Sequence, residues 1–344
     1  MSTFADALQP WREPCATHVT HAIYARHGEV LERFGPAGRQ HCRLDILRHL
    51  DYLAVAVEVN DSTPFVQYVL WLQDVLGGRG VPVTHLVFSL ELIADFLVEN
   101  LPDDVGARLQ AVVDTGKASL AAPQAKALAH YGLTRLPELP QTSRYQQSIL
   151  QGNRSQAQAS VIEAMDAGAT LPQACVQIIQ PALYEVGDLW QRNRITVAQE
   201  HLASAISQNV LVGAYLKASF LEPNGQSAVF ACVEGNHHGL GLRMLSDAFE
   251  TRGWEATYLG TDVPTKDLLQ DIATRRPQLL ALSASLPPHL SSVRQTVEAL
   301  RAELGNACPT IWVGGLATLA APGLWRYTQA DGWSSDALHA LEQL

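Results

Sequence analysis

The sequence predicts a multidomain chain, all-α at the front and α/β at the back, and three observations carry that reading. Apolar residues recur at three-to-four spacing up to about residue 222. After 226 they change to short apolar runs alternating with helical stretches, and a Pro- and Ala-rich stretch interrupts the front half. The expected order is an all-helical domain over 1–120, a linker over 121–143, a four-helix bundle over 144–222 and a parallel-sheet domain over 226–344.

The first domain is read from its faces and stops. In HCRLDILRHLDYLAVAVEVN, Leu44, Leu47, Leu50, Leu53 and Ala54 share one side of a helix. STPFVQYVLWLQDVLGG opens with a Ser/Thr cap and Pro64 and closes on Gly77-Gly78. THLVFSLELIADFLVENLP has Thr84 placed to cap it and Pro102 after its end. AAPQAKALAHYGLTRLPELPQTS breaks the periodicity and reads as the linker. RYQQSILQGNRSQAQASVIEAMDAG, LPQACVQIIQPALYEVGDLWQRN and TVAQEHLASAISQNVLVGAYLKASF are helical again, with lengths that suit a bundle. The runs SAVFACV, EATYLG, LLALSAS and TIWVGG then alternate with helices, which implies a parallel sheet covered on both faces.

Composition narrows the function classes. No apolar run approaches membrane-spanning length, and MSTFADALQPWREP has neither the basic nor the apolar segment of a secretory signal, so a cytoplasmic protein is expected. The five cysteines (15, 42, 175, 232, 308) are scattered and lack CxxC spacing, which reads as reduced thiols. A formal charge of -10 and no evident basic stretch argue against a nucleic-acid partner. Seven of the twelve histidines fall within the first 130 residues. Such enrichment reads either as surface imidazoles or as a pocket for a metal or tetrapyrrole.

Ligands of a parallel sheet gather at the carboxyl ends of its strands, near the point where strand order reverses. Asn236-His237-His238 follows the first expected strand, Ser283 and Ser285 the third, and Gly314 and Gly315 the fourth. Two adjacent imidazoles suggest a metal, yet no other ligands stand at cage spacing.

Asn236-x-His238-x-x-Gly241, with LSASL and VGG after it, resembles the loop set of cobalamin-binding domains. The resemblance implies a Rossmann- or flavodoxin-like sheet and a cobalt corrinoid whose lower axial ligand is His238. Cobalt already holds four corrin nitrogens, so a single neutral imidazole suffices. Gly241, Gly314 and Gly315 would let the displaced nucleotide tail pass the backbone, and Ser283 and Ser285 would hydrogen-bond to it. His237 is expected to face away as a solvated loop imidazole. Position 236 departs from the family, which has a carboxylate there. Asn236 is expected to orient the His238 ring through its amide oxygen without taking up a proton, giving a softer His–cobalt bond.

GDLWQRNRITVAQEH resembles the helical cap of cobalamin-dependent light sensors, the repressors of carotenoid synthesis among them. That implies adenosylcobalamin, with Trp190, Val197, Glu200 and His201 around its upper face. The alternative is that Trp190 is core and Glu200 with His201 a capped helix turn. Gln191 stands where those repressors have a second cobalt-binding histidine, which puts a two-histidine photoproduct in doubt unless His201 or another residue moves in. No helix-turn-helix is evident, so no direct DNA binding is expected.

The front domain is similar to globin-like sensor domains without haem. Its fusion to a cobalamin module resembles the photocobilins, which implies biliverdin as a further chromophore. A bilin wants an apolar slot, stacking aromatics, an acceptor for its pyrrole hydrogens and cations for its propionates. His49 with Tyr52, Tyr68 with Trp71, and His41, Arg43, Arg48 and His85 are the candidates, each also readable as ordinary core or surface. Cys15 or Cys42 could form a thioether to it, which nothing in the sequence favours. The expected function is a non-enzymatic photosensor signalling through a homo-oligomer or a separate partner, with no membrane contact. The alternatives are a corrinoid methyl carrier of a methyltransferase system and a non-photochemical cobalamin sensor.

Overall fold

The computed structural model describes residues 4–121, 136–321 and 323–344, and divides into two compact units at Ala129/His130. Most of the stretch expected as a linker lies outside the described residues.

The first unit is helical: α1 (Phe4–Leu8), α2 (Arg12–Leu31), α3 (Gly35–Val59), α4 (Thr63–Gly78), α5 (Val83–Asn100) and α6 (Asp103–Ala121). Asn60 stops α3 by turning left-handed at φ 53°, a conformation that an Asn side chain tolerates. Asp61 Oδ1 then accepts from the Thr63 N–H at 2.8 Å and opens α4. Thr84 does not cap α5, which begins one residue earlier, after Pro82. Leu50, Leu53, Phe65, Leu90, Ile93 and Leu97 are fully buried and form the centre of the unit. Gly116 is required there, since a Cβ would stand 2.8 Å from the Phe65 ring.

The second unit opens with α7 (Thr142–Leu150) and α8 (Arg154–Asp166), separated by Gly152 at φ 75°. A third rod starts as α9 (Leu171–Ala174), widens into a π-turn over Cys175–Ile179, and continues as α10 (Gln180–Gln191). Pro181 has no N–H to give the Gln177 carbonyl four residues back. That carbonyl instead accepts from the Leu139 N–H (3.3 Å) and the Thr142 hydroxyl (2.8 Å), which anchors the start of the bundle. The fourth helix, α11 (Val197–Lys217), begins on a reciprocal Thr196/Gln199 capping box. Tyr145 donates to the Ser207 hydroxyl at 2.8 Å inside the bundle core.

Five parallel strands follow: β1 (Ser227–Val233), β2 (Glu255–Val263), β3 (Leu279–Ser283), β4 (Thr310–Gly314) and β5 (Gly332–Ser334), in the order β2-β1-β3-β4-β5. The helices between them are α12 (Leu240–Glu250), α13 (Thr265–Arg275) and α14 (His289–Leu304), with α15 (Ala337–Leu341) after β5. The order reverses between β1 and β3, the place where doubly wound sheets bind ligands.

Bundle and sheet meet through α12. Met244 enters the bundle core, and Ala248 packs with Val176 of the π-turn and Ala337 of α15. Tyr215 of α11 donates to Glu250 at 2.5 Å. Asp247 is buried, held by Arg243 at 2.6 Å through one oxygen, and its other oxygen has no partner. Burial pushes this carboxyl up to about 6, against the pull of Arg243. A carboxyl raised by folding contributes stability while protonated and loses it as pH rises through the folded pKa. Compared with Asp247→Asn by denaturant unfolding, the native chain should therefore lose about 1 kcal/mol between pH 5 and pH 7. An offset between the two that stays constant with pH would refute the assignment.

Candidate functional site

The residue that organises the switch point is Asn236, which is fully buried. Its backbone N–H donates to the Val233 carbonyl (2.9 Å) and its carbonyl accepts from the Asp262 N–H of β2 (3.0 Å). The side-chain amide donates to the Ser283 carbonyl at the end of β3 (2.9 Å), and its oxygen accepts from the His238 backbone N–H (3.1 Å). One residue thus ties together the ends of β1, β2 and β3. The bond seen at the Asn236 oxygen is thus to the His238 backbone and not to its ring. That oxygen is occupied by the backbone N–H two residues on, the ordinary Asx-turn geometry.

His238 is left open at the mouth of the loop, with His237 also exposed beside it. The surrounding loop desolvates the His238 imidazole enough to push its pKa down, with Glu200 pulling upward and His237 adding to the fall. The ring is therefore neutral near pH 7, the form that can bind a metal. Glu200 belongs to the first turn of α11, so the bundle brings a carboxylate within electrostatic range of the sheet's imidazole. Its two oxygens also engage His201 Nδ1 (2.6 Å) and the Ser204 hydroxyl (2.9 Å). Val197 is exposed at the start of the same helix, and Trp190 is half-buried in the last turn of α10.

His289 was not anticipated from sequence. It starts α14 after Pro287-Pro288, and its Nδ1 accepts from the Leu286 N–H at 3.3 Å. Burial and the nearby His238 and His237 push it down to about 4. The signal lay in topology, because the loops after β1 and β3 flank the switch point.

The glycines divide by role. Space around the Gly241 Cβ position is open to 4 Å, as passage of a ligand tail requires. Gly315, at φ 97°, would bring a Cβ to 2.3 Å from the Ala284 carbonyl oxygen, and Gly314 to 3.0 Å from that of Ser334. Approach of the chain to itself already accounts for these two. Ser283 is buried and Ser285 half-buried at the same edge.

In the first unit His49, Tyr52, Tyr68 and Trp71 come together. His49 Nδ1 lies 2.7 Å from the Tyr68 hydroxyl, the Tyr52 and Tyr68 rings stack at 3.8 Å, and Trp71 lies 6.1 Å from Tyr68. Burial pushes His49 down to about 3. His85 lies apart from this stack, against His27 at 4.1 Å. His41 is exposed, Arg43 pairs with Glu13 at 2.5 Å and Arg48 with Asp45 at 2.9 Å. Burial raises Cys15 to about 12 and Cys42 to about 11, so both thiols stay protonated.

Residues 226–342 match the family model described as the B12 binding domain, and residues 142–212 match a second B12 binding domain model. This part of the chain therefore carries B12-binding domains, a helical cap with a parallel-sheet domain, which imply a cobalamin cofactor. The chain is 31% identical over 181 residues to the HTH-type transcriptional repressor CarH of Myxococcus xanthus, covering 52% of this chain and 60% of that protein. It is 28% identical over 162 residues to dimethylamine corrinoid protein 3 of Methanosarcina acetivorans, covering 45% of this chain and 75% of that one. The solved monomethylamine corrinoid protein of Methanosarcina barkeri shares the fold, with a TM-score of 0.51 and 19% identity over 59% of this chain and 98% of its own. These relatives are a transcriptional regulator and corrinoid proteins, and the chain spans 60% of the length of the first of them.

One expectation is overturned. The expectation of no direct DNA binding does not hold, because a relative is an HTH-type transcriptional repressor. Net charge is a sum over the whole chain, whereas DNA needs only a local basic face, so -10 excludes nothing. No described helix is long and apolar enough to cross a membrane.

The double role of Asn236 makes a direct test. Asn236→Asp puts an acceptor against the Ser283 carbonyl in a fully buried position, and should lower unfolding stability by about 2 kcal/mol. Unchanged stability would show that the amide strap contributes nothing.

Proposed function

We propose that the chain is a cobalamin-dependent light sensor, with adenosylcobalamin bound between the bundle and the sheet domain. The carrying observation is the opposition of the neutral His238 on the β1 loop to the first turn of α11, where Val197 and Glu200 stand. His238 is the lower axial ligand in this reading, and Trp190, Val197, Glu200 and His201 line the upper side. The residues suit a corrin: the donor is open, the first turn of α11 offers apolar surface, and Gly241 leaves room beside the loop. When bound, the cofactor supplies a cobalt–carbon bond that light breaks. The chain's part is to hold Trp190 and α11 in one of two arrangements against α12 and to pass the difference to a partner. The repressor relative puts DNA among the partners to test.

The front unit is proposed as a globin-like domain binding biliverdin, supported by the His49, Tyr52, Tyr68 and Trp71 cluster. The domain order and the limits 1–120, 121–143, 144–222 and 226–344 belong to the same proposal, as does a cytoplasmic location. Similarity to the dimethylamine corrinoid protein favours a second reading, a methyl-carrying corrinoid protein.

Loaded with adenosylcobalamin in darkness, the chain should change its visible spectrum irreversibly under green light. His238→Ala should weaken cobalamin uptake at least about tenfold. A light-stable complex that turns over methylcobalamin with a partner enzyme would select the carrier reading, and unchanged uptake by His238→Ala would remove the axial assignment. Added biliverdin should produce a red absorption band; its absence would confine the chain to one chromophore.

A further inference from the structure

Asn236 straps the interior side of the loop that presents His238. The other side of the loop faces β2, the edge strand of the sheet, and a side chain from that strand ties it. The Tyr258 hydroxyl donates to the Gly239 carbonyl at 3.1 Å. That carbonyl also accepts from the Arg243 N–H at 2.9 Å, the opening bond of α12, so both of its lone pairs are used. The His238 carbonyl accepts from the Cys232 thiol at 3.7 Å, a weak donor at long range. Of these two side-chain bonds, the one from Tyr258 is the stronger.

The local sequence explains how an edge-strand residue reaches the loop. β1 and β2 pair in step up to Phe230 opposite Tyr258, then slip, so that Ala231 stands opposite Gly260. The extra residue is Leu259, and Gly260 takes φ 94° beside it. Residues three apart in a regular strand point to opposite faces. Across this bulge Tyr258 and Thr261 converge on one spot. A Cβ on Gly239 would lie 2.6 Å from the Tyr258 hydroxyl and 2.5 Å from Thr261 Cγ2. Gly239, at an ordinary φ of -96°, is therefore needed for space and not for conformation. Arg243 lies over the Tyr258 ring, 5.6 Å from its centroid, and Asp247 holds that guanidinium, so the ring is steadied from α12 as well. Burial raises the pKa of the phenol, which keeps its proton in place to donate.

We propose that Tyr258 is a positioning residue for the lower axial ligand: its bond to the Gly239 carbonyl fixes the direction in which His238 presents its ring to cobalt. The proposal rests on the reading of His238 as that ligand. Asn236 holds the His238 N–H, and Tyr258 holds the carbonyl of the next residue. A loop pinned on both sides has less freedom to lose when its side chain takes a ligand. The tie therefore strengthens coordination as well as the fold. Without the hydroxyl, the ring is presented over a wider range of angles and the His–cobalt bond weakens.

The test is an acid titration of the full chain loaded with adenosylcobalamin in darkness, followed by the visible change that marks release of an imidazole from cobalt. Protonation of the ring competes with coordination, so a weaker bond gives way at higher pH. Tyr258→Phe keeps the ring and its packing and removes one hydrogen bond. It should weaken coordination about fivefold and raise the midpoint by about 0.7 pH unit. Gly239→Ala, which drives a Cβ into the hydroxyl, should raise the midpoint at least as far. A bond that served only the fold would lower denaturant stability in Tyr258→Phe and leave the midpoint in place, and that result would overturn the proposal. His238→Ala separates the two readings. If it abolishes the transition while Tyr258→Phe leaves it unmoved, only the role of Tyr258 falls. If it leaves the transition intact, the axial assignment falls and this proposal with it.

Discussion

The buried amide of Asn236 is the constraint on which the switch-point geometry rests. A strand-end loop must satisfy its backbone groups while leaving one side chain free for a ligand, and these demands compete. Here Asn236 satisfies the interior alone, with bonds to Val233, Asp262, Ser283 and the His238 backbone. His238 and His237 consequently need contribute nothing to the fold through their rings. An amide can give a hydrogen to the Ser283 carbonyl and take one from the His238 N–H with the same side chain, which an ionised carboxylate cannot. Burial holds the His238 pKa below its ordinary value, and the Glu200 carboxylate of α11 opposes part of that fall.

In the proposed site half of the residues lie on each of two packed layers, so the contact between the layers would be part of it. The contact is apolar at Met244, Ala248, Val176 and Ala337, but its polar members are imperfectly satisfied. Asp247 keeps an unpartnered oxygen beside the Cys175 thiol, and Tyr215 to Glu250 is a single link. A buried carboxylate held by one bond is costly, so the free energy separating this arrangement from another is reduced. A ligand touching both layers needs only modest differential affinity to choose between two such arrangements.

The architecture was readable because its signals are periodic. Leu50 and Leu53 follow the helical spacing into the core, and the apolar runs of β1, β3 and β4 announce the inner strands of a parallel sheet, with β2 half-exposed at its edge. The fifth strand was not readable, since Gly332–Ser334 is three residues long and has no apolar run. The Thr84 cap failed because Pro82, already extended at ψ 143°, let the helix begin earlier. In the site, His238 stood out by its place after a strand. His289 did not, because its nearness to His238 exists only once β1 and β3 are neighbours, and sequence spacing carries no trace of that. The strap made by Asn236 is hidden for a related reason: pattern gives a side chain's position, whereas its hydrogen-bond partners depend on three strand ends at once. In the first unit the aromatic spacing brought Tyr52, Tyr68 and Trp71 together, but His85 sits with His27 on another helix pair.

Helix α11 answers three demands with one sequence, and its geometry explains why they do not conflict. Successive residues turn by about 100°, so positions separated by three and four fall into stripes that barely overlap. Ile206, Val210 and Ala214 serve the bundle; Glu200 stands within electrostatic range of the sheet's imidazole; Leu202, Val212 and Leu216 face outward. The run from Glu200 to Leu216 spans about 24 Å of continuous hydrogen-bonded rod. A rod of that length bends little, so a tilt imposed at its first turn reappears as a displacement of its outer stripe. The capping box at Thr196 and Gln199 strengthens the inference, because it fixes the first turn against fraying at the end where the site lies. With the cofactor seated as proposed, a displacement of the first turn would pass along the helix.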